Sequence, residues 1–162
     1  MSNSAVVQAR HAEFINGISK VYRTLIDMNY LQPTEVSFGA LVDFKVLRTL
    51  GLGDEAISLV GCLPYLSPGI RDQWSHSEDG IPIAPLSQAL TYASDGLSEL
   101  QDMRSVMNGM FQLRPHQIKI ARCGSSEGED AIYDLEDSEL HCRLQHCVLL
   151  ILIRVIDALE AH

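Results

Sequence analysis

The chain has 162 residues, of which 46% are hydrophobic and 20% charged, proportions that exclude disorder along the whole length and fit one globular domain over 1–162. Twelve Lys and Arg stand against 21 Asp and Glu, giving a formal charge of −9. That balance argues against nucleic acid and anionic membrane surfaces as partners, because both require a basic face.

In residues 5–30, Val7, Phe14, Ile18, Val21, Leu25 and Met28 recur at helical spacing, and Ile15, Tyr22 and Ile26 widen the stripe. This predicts an amphipathic helix, which Pro33 stops near Tyr30 or Leu31. A second helix is expected over 37–50 from Phe38, Leu41, Val42, Val46, Leu47 and Leu50, closed by Gly51 and Gly53. Asp54 and Glu55 suit the N-terminus of a third, short helix, which Pro64 and Pro68 limit. Residues 70–85 hold two prolines, Gly80 and Trp74, and read as loop or edge strand. Leu97, Leu100, Met103, Met107, Met110 and Phe111 then predict a helix beginning near Ser94 and Asp95.

The period changes after Pro115. Ile118 and Ile120 alternate with polar residues, 124–128 is turn chemistry, and 131–135 returns as a partner strand, so an antiparallel hairpin is expected. Residues 138–162 repeat Leu140, Leu144, Cys147 or Val148, Ile151, Val155 and Leu159, predicting a long apolar C-terminal helix. The fold class is therefore α+β, helix-rich, with an antiparallel hairpin or small sheet. The first residues carry neither the early basic residue nor the apolar run of a secretory signal, and the longest apolar run, 147–153, is seven residues, short of the roughly 20 that span a bilayer. A cytoplasmic location is expected, with no membrane partner and with Cys62, Cys123, Cys142 and Cys147 as reduced thiols.

Charge is unevenly spread. Glu127, Glu129, Asp130, Asp134, Glu136, Asp137 and Glu139 lie within thirteen residues that contain no Lys or Arg, and they supply −7 of the −9. Such a run repels itself unless it is solvated or neutralised, which makes it a candidate binding surface for a basic protein partner. A calcium loop is disfavoured, because Ala131 and Ile132 fall where oxygen ligands belong. His141, Cys142, His146 and Cys147 form a second cluster, with Cys142 and His146 four apart as on one helix face. A zinc site there would need two further donors from Cys123, His116 or His76; core packing is the preferred reading, and neither a metal nor a cofactor is expected.

No nucleophile elbow and no phosphate-binding glycine loop occurs, and Asp54 and Glu55 after Gly51-Leu52-Gly53 would repel a phosphate. No catalytic residue is assigned. Were the chain a small-molecule enzyme with a diffuse apolar pocket, Trp74, His116 and Tyr133 would be its lining. Residues 147–153 are apolar on every side of a helix, so they must be covered, by the chain's own core, by a partner or by a second copy in a structural homodimer; the dense Val and Ile there also fit a buried strand, though the stripe continuing through Val155 and Leu159 favours the helix.

The run Ile83-Ala84-Pro85-Leu86-Ser87, a strand at 117–122, a polar turn and Ala131-Ile132-Tyr133-Asp134-Leu135 followed by an acidic turn resemble the SUKH superfamily. That group includes fungal cell-wall-assembly regulators and bacterial toxin-immunity proteins. A Met-rich stretch separates Leu86 from the hairpin, a departure from that pattern. The resemblance implies an α+β fold and protein binding without catalysis. The expected function is that of an acidic, non-catalytic protein-interaction module.

Overall fold

The computed structural model describes residues 3–39, 42–67, 87–89, 92, 100, 101, 103–106, 109, 111–123 and 130–142. Helices α1 (Asn3–Arg10), α2 (Ala12–Asp27), α3 (Phe44–Thr49) and α4 (Asp54–Val60) accompany strands β1 (Val36–Phe38), β2 (Pro64–Leu66), β3 (Ser87–Ala89), β4 (Ser105–Val106), β5 (Phe111–Gln112), β6 (Gln117–Cys123), β7 (Ala131–Asp134) and β8 (Glu139–Cys142). All pairings are antiparallel: β1 with β2, β4 with β5, and a four-stranded sheet in the order β3-β6-β7-β8. The fold is α+β.

The first predicted helix is present but bent at His11, where α1 gives way to α2. Helical bonding continues through the bend, with the His11 N–H donating to the Val7 carbonyl and the Ile15 N–H to that of His11. At the bend His11 is 1% exposed, and its Nδ1 shares a hydrogen bond of 2.9 Å with the Tyr133 hydroxyl. Ile15, Ile18, Val21 and Tyr22 form the buried face of α2. The helix stops before Pro33 because Asn29 takes a left-handed conformation (φ 59°). The Tyr30 N–H then reaches the Leu25 carbonyl and the Asn29 N–H that of Ile26, closing a Schellman motif.

The helix expected over 37–50 begins later. Residues 36–38 pair with β2, Val36 opposite Leu66, and Gly39 turns the chain at φ 73°. Asp43 then caps α3, its Oδ1 accepting from the Lys45 and Val46 N–H groups. Gly51, at φ 83°, ends that helix as its position predicts, and α4 follows with Ala56, Ile57, Leu59 and Val60 buried.

Two other expectations are overturned. The Met-rich stretch is not one helix: Leu100 and Gln101 are helical, but β4 and β5 follow and pair, Val106 opposite Phe111, with Gly109 at φ 91° between them, and 93–99 lie outside the described residues. Nor does a helix start at Ser138. That residue turns the chain at φ 55°, and 139–142 form β8, with Leu140 opposite Tyr133. Cys142 therefore sits in a strand rather than on a helix face with His146. The remainder of the expected C-terminal helix, including 147–153 and the homodimer surface placed there, lies outside the described residues. Among the described residues no helix is long and apolar enough to cross a membrane.

Directly paired residues of an antiparallel sheet share a face, and neighbours along a strand alternate. The row Ile118–Tyr133–Leu140 thus faces one way, and the rows Gln117–Asp134–Glu139 and Lys119–Ile132–His141 the other. The apolar face meets α2, where Phe14 stacks on Tyr133 with ring centroids 3.7 Å apart. Ile118, Tyr133 and Leu135 join the α2 and α4 side chains in one core. The opposite face carries the polar groups.

Candidate functional site at the acidic turn

The polar rows converge where β7 ends. Asp134 is 5% exposed, yet its carboxylate is fully engaged: Oδ2 accepts from the Gln117 side-chain amide at 2.8 Å, and Oδ1 from the Glu136 N–H at 3.0 Å. Burial opposes its charge, but the Gln117 amide, the Glu136 N–H, His116 and the Asp137 N–H together hold its carboxyl below the ordinary range. The bond to Glu136 is an Asx turn, which folds the chain back toward β8. The Leu135 N–H donates to the His116 carbonyl, tying this turn to the loop before β6.

His116 stands between two carboxylates. Its Nδ1 lies 3.2 Å from Glu136 Oε1 and its Nε2 lies 3.6 Å from Asp134 Oδ2. Nε2 is sealed from solvent and has no hydrogen-bond partner among the described residues. His116, Asp134 and Glu136 form one set of groups whose ligand atoms fall within 4.8 Å of each other; Asp134, Asp137 and His141 form a second, and Asp134 belongs to both.

The acidic run is therefore divided by the fold. Asp134 is internal, and Asp130 forms an ion pair of 3.0 Å with the buried Lys119. Glu136, Asp137 and Glu139 are exposed. Glu127 and Glu129 lie outside the described residues, as does Trp74. Tyr133 and His116 do not share a pocket, since Tyr133 faces α2 while His116 faces Asp134 on the other side of the sheet. Burial pushes the Tyr133 phenol up, against a hydrogen bond from Ser138 and the nearby Arg10, and its hydroxyl is spent on His11. A crevice lined by Ile18, Tyr22, Tyr65, Tyr92, Lys119 and Ile120 has a volume of about 10 Å³, room for one water molecule.

Sequence reasoning missed His11, Gln117 and Arg104. For His11 a signal existed: it stands four residues from both Val7 and Ile15, inside the apolar stripe. Gln117 faces Asp134 by strand register, which is legible only once the hairpin pairing is known. No family model, no curated protein and no solved structure matches the chain, so its function must be argued from this geometry.

Proposed function

We propose that the chain is an acidic, non-catalytic protein-interaction module that docks a basic segment of a partner on the turn between β7 and β8. The observation that carries this reading is the exposure of Glu136, Asp137 and Glu139 on a turn whose main chain the buried Asp134 carboxylate holds in place. No Lys or Arg lies between positions 127 and 139 to neutralise them in sequence. Fixed carboxylates on a rigid turn attract and orient a basic segment at little ordering cost. The resemblance to the SUKH superfamily points the same way, toward protein binding.

An oligolysine peptide titrated into the full chain, with a chelator present, tests the reading. Affinity is expected to fall steeply from low to physiological salt, and Glu136→Gln/Glu139→Gln is expected to weaken it roughly three- to tenfold. Asp27→Asn/Asp54→Asn removes the same charge from exposed positions on α2 and α4 and should leave affinity near the wild-type value. Equal losses from both pairs would reduce the effect to net charge and remove the turn as the docking surface.

A further inference from the structure

We propose, resting on the docking role of the acidic turn, that His116 is a proton-operated clip which regulates it. As an imidazolium, His116 holds Glu136 and shields it from a basic partner; on losing its proton it releases Glu136 for docking. Each ring nitrogen faces a different carboxylate, Nδ1 at 3.2 Å from Glu136 Oε1 and Nε2 at 3.6 Å from Asp134 Oδ2. A neutral imidazole carries one N–H, so one of its nitrogens must turn a lone pair toward a carboxylate. The protonated ring presents an N–H on both sides and attracts both anions. Nε2 is shielded from solvent and has no hydrogen bond among the described residues, so charge rather than a hydrogen bond joins it to Asp134. The imidazolium itself is thus the cation between Asp134 and Glu136.

Which contact opens when the proton leaves follows from how each group is held. Asp134 is fixed by the Gln117 amide and the Glu136 N–H; burial notwithstanding, these bonds and His116 keep it ionised. The loop that carries the ring is fixed as well. Arg104 grips the Leu113, Arg114 and Gln117 carbonyls, and the Leu135 N–H donates to the His116 carbonyl. The Glu136 side chain, in contrast, is 66% exposed and can swing into water. The remaining proton stays at Nε2, beside the buried carboxylate that water screens least, so Nδ1 presents its lone pair to Glu136 and that contact opens. Among the described residues, the charged groups around the ring are Asp134 from β7, Glu136 from the turn and Arg104 behind the loop; Asp137 and His141 reach Asp134 in a separate set.

Two measurements on the full chain test the clip at about pH 5.5 and about pH 8, which span the usual range of imidazole titration while Asp, Glu and Lys keep their charges. The Glu136 carboxyl carbon-13 resonance, assigned by its loss in Glu136→Gln, is expected to shift between the two conditions in the wild type and to stay put in His116→Gln. A capped oligolysine peptide, at constant ionic strength, is expected to bind the wild type about three- to fivefold more tightly at the higher pH. His116→Gln and Glu136→Gln should each lose that ratio, whereas His141→Gln, which removes the other imidazole near Asp134, should keep it. Far-UV circular dichroism shows whether each variant is folded. A wild-type resonance unmoved by pH, or one that moves equally in His116→Gln, overturns the clip. A wild-type affinity that does not rise with pH, or a rise that survives in His116→Gln, overturns its control of docking. Failure of oligolysine to bind at either pH, with the resonance still shifting, removes docking and its regulation together but leaves the clip itself standing.

Discussion

Arg104 shows how a single side chain organises this fold. It is 5% exposed, and it donates to four main-chain carbonyls: Leu113 and Gln117 at 2.8 Å, Arg114 at 2.9 Å and Leu50 at 3.2 Å. Burial lowers its pKa, a tendency that neighbouring Tyr92 opposes. Replacement by Met keeps the bulk and orphans the carbonyls, each at about 1–3 kcal/mol. Arg104→Met should therefore lower the unfolding free energy by about 4 kcal/mol or more in urea titrations. Arg104→Lys should recover only part of the loss, because an ammonium offers three donors without the planar fork. The tyrosines make a second residue-scale case. Burial pushes Tyr92 up to about 12, against the Lys119 main-chain bond and Arg104, and raises Tyr22 and Tyr65 as well. A phenol whose folded pKa exceeds the ordinary 10 contributes stability in full below pH 10 and loses it as pH climbs toward 12. Urea midpoints should hold up to pH 10 and fall beyond it, and Tyr92→Phe should reduce that slope by up to about 1.4 kcal/mol per pH unit.

Helix ends and strand partners decide the elements. Asp43→Ala removes the side-chain acceptor for two N–H groups at the start of α3 and should cost about 1 kcal/mol, read as a lowered thermal midpoint with the fold retained. The parts of the fold legible in the sequence are those with local causes. The stripe of α2, the acids and flanking glycines of α4, and the alternation of β6 with the return in β7 each follow from neighbouring residues. The parts that were not legible depend on distant partners. Residues 36–38 look helical until β2 pairs with them, and the Met-rich spacing gives way to the β4–β5 pairing. Leu140 belongs to a helical spacing with Leu144, yet the turn at Ser138 places it opposite Tyr133. Periodicity could not separate these cases, because such short runs match either period.

Over the whole molecule, charge and burial are sorted by the two faces of one sheet. The acidic run was plain from composition, but its division was not: Asp130 and Asp134 turn inward to Lys119 and Gln117, and Glu136, Asp137 and Glu139 remain exposed. His116 stood out in sequence as an isolated histidine beside Pro115, whereas its place between Asp134 and Glu136 comes from strand register. His141 followed the same course, from a supposed companion of cysteines to a neighbour of Asp134 and Asp137.

The guanidinium of Arg104 grips Leu113, Arg114 and Gln117, the stretch from which His116 projects, and it also holds Leu50 at the end of α3. The imidazole is thereby mounted on an anvil rather than a hinge. Loss of Arg104 should therefore disturb the seat of the His116 imidazole and the end of α3 together.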